Sequence, residues 1–484
     1  MGLIGFIFIL YLILLIAVGT YTFRLNKTHE DYLLAGRKLG PWVVAFSERA
    51  SGESAWLLLA LPGAAITIGL SESWAVVGII MGIIASWFLI AEKLRDETEK
   101  YGALTIPQFL HFRYNDDSNI IRLFSSFIIS FFFLFYVSAQ FHASGKVLNS
   151  LFHLDTIVGI SVGAIIIIIY TLMGGFLAVA WTDLIQGLLM IGTLVILPIA
   201  GIIELGNIDM TIKDGLEISA SDYKNNNMSF FMGRSGIDAL IVALGGLSWG
   251  LGYLGQPHLL IRYMAIRGSK EIKIARKIAI AWAIPGISGS FFIGLIALAY
   301  FGKPPYDLLL IDAEQTMPML ASKLLHPMIA GLFISGAVAA MMSTADSQLL
   351  VSTSAITEDL GIGFKIRANS LDAVANSRIF TVVMGIIAYG IALFSEYTGK
   401  TIFSVVSYAW SGLGSAFGPA LLMTLWWKKT TRMGIIAGLL TGFFTTIIWV
   451  NIPYLNDRIT ERLSSFILAI TAIYLTSKNT KNAN

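Results

Sequence analysis

The chain has 484 residues, of which 56% are hydrophobic and 13% charged, with a mean hydropathy of +0.75; this excludes an ordinary soluble globular protein and indicates a polytopic membrane protein. It contains no cysteine, which excludes a disulfide framework and a thiolate metal site. The formal net charge of +3 gives no sign of a nucleic-acid partner, because in a membrane protein the placement of Lys and Arg among the loops is what informs.

With about 20 apolar residues needed per crossing, thirteen transmembrane helices are expected. They lie near 3 to 22, 41 to 70, 73 to 92, 118 to 149, 156 to 174, 180 to 203, 234 to 264, 277 to 301, 327 to 357, 377 to 395, 400 to 427, 433 to 451 and 462 to 477. The first lacks a basic leader and a small-residue cleavage site, so it reads as a retained span with the N-terminus outside. Loops and span ends on the expected cytoplasmic side, Arg262 included, hold 23 Lys and Arg against 8 on the other side. That asymmetry predicts N-terminus out and C-terminus in, in the plasma (inner) membrane. Polar loops at 204 to 233 and 302 to 326 are expected outside, with short helices or a lid, and residues 1 to 484 are expected to form one transporter domain without an appended soluble module.

The second span carries Ser47-Glu48-Arg49-Ala50-Ser51-Gly52-Glu53-Ser54-Ala55-Trp56 at its middle. Charge at that depth costs several kcal/mol even on lenient scales, so these groups must face protein or water. Ser51-Gly52 predicts a break in the helix, and Gly245-Gly246 with Trp249 to Pro257 predicts a second one five spans later. Broken helices at matching places are the signature of an inverted-repeat transporter with a midplane site. The repeats are then 41 to 203 and 234 to 427, with extra helices at 3 to 22 and 433 to 477. Close glycine packing is the alternative reading of the second break.

In the ninth span Ser343, Asp346 and Ser347 fall on one helical face, with Thr344 adjoining. Such oxygens suit an alkali cation, although hydroxyls in membrane helices also bond back to their own carbonyls. Asp183 reads either as a further cation ligand or as an N-cap of the sixth span. Tyr136, Trp56, Trp249 and Tyr253 are candidates for the walls of a small pocket.

The blocks Asp31 to Arg37, Trp56 to Gly63, Gly174 to Asp183, Trp249 to His258, Met342-Ser343-Thr344 and Ser407 to Trp410 resemble the sodium:solute symporter family, most closely its sodium/proline symporters, collinearly from about residue 5 to 450. The resemblance implies an all-α, LeuT-like 5+5 inverted repeat. It implies a Na+ site made by the carbonyls of Ala50, Glu53 and Ala340 and the hydroxyls of Ser343 and Thr344, and a second Na+ site mapping onto Asp183, Ser343, Asp346 and Ser347. The solute positions it implies are Ser54, Trp56, Tyr136, Trp249, Tyr253 and Pro257. Proline carriers of this kind place an aspartate where Gly52 stands, whereas here the carboxylate follows at Glu53; the shift either keeps the charge near the ion or aims it into the pocket.

The expected function is therefore sodium-coupled import of a small amino acid, proline foremost, by alternating access, with sodium, the solute and membrane lipids as partners and no nucleic acid. The rival solutes are a monocarboxylate, a sugar or sialic acid. A solute sensor would need an output domain, and the sequence shows no nucleophile, base and metal constellation for a membrane enzyme.

Overall fold

The computed structural model describes residues 2–23, 33–173, 175–222, 227–302, 312–360, 370–456 and 458–479. Asp31, Tyr32 and Gly174 of the quoted blocks, and parts of the two polar loops, lie outside the described residues. Among the described residues the secondary structure is helical, with no strand, and one isolated bridge pairs Leu39 with Ile266. The expected loop helices are present as Ile212–Asp222 and Thr316–Leu324.

Seven described helical segments are long and apolar enough to cross a membrane, or eight if the bent pair Gly236–Gly252 and Pro257–Ala265 is one span. One of these, Pro41–Lys100, contains two of the expected spans joined through the tight turn Gly69–Glu72. Helix Ile402–Trp426 falls outside that count although it has 25 residues, because buried Ser411, Gly412, Gly414, Ser415 and Gly418 dilute its apolar character. Those small residues face protein rather than lipid, as helix contacts within a membrane require.

The helix predicted over 41 to 70 starts where Pro41 follows an extended Gly40, and runs to Ala55. It breaks at Ser54 (φ 24°, ψ −170°), two to three residues beyond the Ser-Gly pair expected to break it. Side chains replace the lost helical partners: the Ala55 N–H donates to Gln140 Oε1 at 3.1 Å and the Trp56 N–H to Ser54 Oγ at 3.0 Å. A backbone conformation this sparsely populated persists only where neighbours over-determine it, and these two bonds do so. The chain continues through the wide turn Trp56–Ala60 into helix Leu61–Ile68.

The second broken helix runs Gly236–Leu247 and Trp249–Gly252, turns through an extended Gln256 and resumes as Pro257–Ala265 at 45°. Glycine packing accompanies this break as well: a Cβ at Gly252 would strike the Trp410 indole, and one at Gly255 the backbone of Gly418. Both readings of these glycines therefore hold at once. The inner ends of the two broken helices are tied together, since Leu39 N–H donates to Ala265 O at 3.3 Å and Arg267 N–H to Leu39 O at 3.1 Å. Helix Pro327–Ser354, which carries the hydroxyl face, packs against Pro41–Ala55 and Phe176–Asn207.

Candidate functional site

Breaking the helix at Ser54 frees the Ser51 carbonyl, because Ala55, its normal helical donor, now bonds Gln140. The Thr344 hydroxyl donates to that carbonyl at 3.0 Å, and the Ser343 hydroxyl donates to Ala50 O at 2.9 Å and lies 3.2 Å from Ala340 O. These five oxygens, all on buried residues, connect the first broken helix to Pro327–Ser354. Of the first predicted set, Ala50, Ala340, Ser343 and Thr344 are brought together. The Glu53 carbonyl instead accepts the Trp56 N–H at the break. The Ser51 carbonyl, which sequence reasoning missed, occupies the place facing Thr344, and the only signal for it was the Ser-Gly pair itself.

Two of the four residues in the second predicted set, Asp183 and Ser347, bond a cation that the protein supplies. Arg262, fully buried, donates from Nη2 to Asp183 Oδ2 at 3.0 Å, to Ser51 Oγ at 2.7 Å and to Ser347 Oγ at 2.5 Å, and from Nε to Ser47 Oγ at 3.0 Å. Asp183 Oδ2 also accepts from Ser47 Oγ at 2.6 Å. Arg262 is thus no cytoplasmic rim charge, although its place near the end of a span read that way; a guanidinium this deep is tolerated because an acid and three hydroxyls partner it. Nor is Asp183 a helix cap: its helix begins at Phe176, two turns earlier, after an extended Gly175. Asp183 Oδ1 is buried without a hydrogen-bond partner among the described residues. Asp346 is buried on the same helix as Ser343 and Ser347 and faces the Thr171 hydroxyl.

Beside the Ser54 break lies a small cavity, about 200 Å³ in empty volume, lined by Gly52, Trp56, Ile79, Tyr136, Trp249, Tyr253, Val406 and Trp410. The rings pack at the separations aromatic pairs favour, with Trp56 and Trp249 5.3 Å apart and Tyr253 and Trp410 4.6 Å apart. Every lining ring is at most 3% exposed, so the cavity's walls are buried inside the protein. Four of the six predicted solute residues line it. Ser54 forms the break beside it and faces the Tyr136 hydroxyl, while Pro257 lines a separate apolar cavity with Ile106, Ile129 and Val351. Trp410 was present in the quoted block Ser407 to Trp410 without being singled out, and Ile79 and Val406 carried no local signal.

The Glu53 carboxylate is held by Arg49 Nη1 at 2.5 Å and by the Tyr253 hydroxyl, 3.2 Å from each of its oxygens. Arg49 also makes two bonds to Glu48, which accepts further hydrogen bonds from Trp87 Nε1 and the Tyr263 hydroxyl. All three charged side chains are fully buried.

Comparison with known proteins gives the family and the fold. Residues 32–442 match the family model described as the sodium:solute symporter family. The chain is 38% identical over 465 residues to the high-affinity proline transporter PutP of Bacillus subtilis, covering 96% of this chain and 95% of that protein. It is 37% identical over 474 residues to the sodium/proline symporter of Escherichia coli, covering 97% and 92%. Among solved structures, a sodium-coupled sialic acid symporter in a substrate-bound outward-open state aligns with a TM-score of 0.81 at 19% identity, covering 100% of this chain and 99% of that one. A nucleobase-cation-symport-1 family transporter in a closed conformation aligns with a TM-score of 0.54 at 12% identity, covering 94% and 97%. The fold is therefore that of sodium-coupled symporters, and the protein is a multi-pass membrane transporter, not an enzyme. This chain belongs to the sodium:solute symporter family.

Proposed function

We propose that this carrier couples inward sodium flow to the uptake of proline by alternating access. The observation that carries the proposal is that residues flanking one helix break, at Ser54, belong both to a group of buried oxygens, through Ala50 and Ser51, and to an aromatic cavity, through Gly52 and Trp56. An ion and a solute placed there would share a backbone element, so each stabilises the conformation the other needs. Coupling requires no more than that differential affinity for the two conformations.

In this reading sodium is bound by the Ala50 and Ala340 carbonyls and the Ser343 and Thr344 hydroxyls, with Glu53 O or Ser51 O completing the shell. Hydroxyls that now donate to carbonyls expose lone pairs to an ion once their hydrogens rotate away, so neutral oxygens suffice. A second sodium at Asp183, Ser343, Asp346 and Ser347 requires the Arg262 guanidinium to withdraw first, because it bonds two of those four residues.

The solute enters the ring-walled cavity of Trp56, Tyr136, Trp249 and Tyr253, with Ser54 contributing from the first break; Pro257, at the second, lines its own cavity and takes no part. The relatives named as proline transporters support proline. The buried Trp56 Nε1, without a hydrogen-bond partner among the described residues, is a donor suited to its carboxylate. The architecture proposed is thirteen crossings with N-terminus out and C-terminus in, repeats at 41 to 203 and 234 to 427, and extra helices at 3 to 22 and 433 to 477. The five-span offset between two helices broken beside the same site supports that repeat.

The test is uptake of labelled proline into proteoliposomes under an imposed inward sodium gradient. Accumulation that collapses when sodium is equal on both sides, or replaced by potassium, is the expected result; proline uptake indifferent to sodium would reject the proposal.

A further inference from the structure

Three charged side chains at the first helix break, Glu48, Arg49 and Glu53, are fully buried yet take no part in the oxygen group at Ser343 and Thr344. Among the described residues the hydrogen-bond partners of the Glu53 carboxylate are Arg49 and Tyr253. Its charge is therefore directed at the second broken helix, and at a residue whose ring walls the solute cavity.

The geometry of that contact decides what the cavity presents. The Tyr253 hydroxyl lies 3.2 Å from each Glu53 oxygen and donates to that carboxylate, so its hydrogen is used up outside the cavity. A phenol donating to a carboxylate gains electron density on its oxygen and ring, since hydrogen bonds polarise one another in a low-dielectric interior. The Arg49 guanidinium lies over this ring, 5.5 Å from its centroid, but is paired with both Glu48 and Glu53, so the buried triad behind the ring has an excess of acid. What remains for a solute is the part of the ring that lines the cavity beside Trp410, 4.6 Å away, with no charged side chain among the lining residues. Aromatic faces arranged in this way attract cations.

The geometry points to Glu53 as a positioning residue for solute recognition, which fixes and polarises Tyr253 so that the cavity selects solutes carrying a positively charged ring nitrogen. This rests on the proposed transport of proline and names the atom of the solute that the cavity reads. The Glu53 carboxylate touches neither solute nor ion in this scheme and acts through Tyr253, while the backbone carbonyl offered to sodium is kept in Glu53→Met.

The test compares proline with its ring-oxygen analogue, tetrahydrofuran-2-carboxylate, as competitors of labelled proline uptake in proteoliposomes of wild type, Glu53→Met, Tyr253→Phe and the double variant. Wild type should prefer proline. Each single variant should raise the half-saturating proline concentration about tenfold and shrink the preference over the oxygen analogue by a similar factor, while half-saturating sodium and maximal rate change less than twofold. The double variant should be no worse than the worse single one, because the two residues form one device. If Glu53→Met fails to fold, Tyr253→Phe decides the matter through the same preference ratio. A preference that survives in Tyr253→Phe, or a sodium constant that rises in step with the proline constant, overturns the inference and leaves proline transport standing. A wild-type carrier that ignores proline overturns the solute assignment and this inference together, and that failure is visible before any variant is made.

Discussion

The Thr344 hydroxyl donates to the carbonyl of Ser51 at 3.0 Å, joining residues 293 positions apart in the chain. That carbonyl is available only because the helix stops at Ser54, so the bond reports the break and the proposed ion site in one measurement.

If Ser343 and Thr344 supply two of sodium's oxygens, Ser343→Ala or Thr344→Ala should raise the sodium concentration for half-maximal uptake by roughly tenfold or more, about 1.4 kcal/mol. Sodium titrations of uptake in proteoliposomes check this. Curves that superimpose on wild type for both variants would remove the hydroxyls from the site.

Asp183 and Asp346 separate by what each carboxylate holds. Asp183→Asn removes the acid paired with fully buried Arg262, and unpairing a buried charge costs about 3–5 kcal/mol, so the purified variant should melt at a clearly lower temperature than wild type. Asp346→Asn breaks no ion pair found among the described residues and should fold well. If it belongs to a second sodium site, its Hill coefficient for sodium, or its charge moved per proline, should fall towards one. Wild-type stoichiometry in Asp346→Asn leaves a single sodium site.

Gln140 maintains the first break by accepting the Ala55 N–H. Gln140→Leu leaves that buried donor unpaired, which costs about 1–3 kcal/mol. Thermal stability in detergent should drop, and because ion and solute both depend on the break, their half-saturation constants should rise together. A rise in one constant alone would show that the break does not couple them.

Gly252→Ala tests the close approach of the second broken helix to Ile402–Trp426. The added methyl meets the Trp410 indole, a cavity wall whose Nε1 already donates to Trp249 O at 3.1 Å. Overpacking of this kind costs about 1–3 kcal/mol, and the expected result is strongly reduced proline uptake at near-normal expression. Gly268→Ala, where a Cβ meets nothing within 4 Å, serves as the control and should transport normally.

Competition addresses the solute class directly. Proline should inhibit uptake, while sugars and sialic acid should not, because a cavity walled by five aromatic rings, Trp56, Tyr136, Trp249, Tyr253 and Trp410, offers apolar contact to a compact ring and few hydrogen-bond partners to a polyhydroxylated solute. Inhibition by a sugar and not by proline would keep the family and change the solute.

The membrane class, the seven or eight long apolar helical segments, the two interruptions and the face carrying Ser343 and Ser347 were legible in the sequence alone, because each follows from local chemistry. Apolar runs set crossings, a Ser-Gly pair and a glycine cluster permit breaks, and a 3.6-residue period puts hydroxyls on one face. The break itself moved to Ser54 because Gln140, 85 residues away, offers the acceptor that makes the conformation tolerable. The same reason explains the other differences. Arg262 read as a rim charge until the fold placed Asp183, 79 residues distant, against it, and Glu53 could have served ion or solute until Tyr253, 200 residues on, took its carboxylate. A buried charge or freed carbonyl must find a partner, and the need for one is written locally in the sequence. Which partner meets that need is decided by the packing of segments that the sequence leaves far apart.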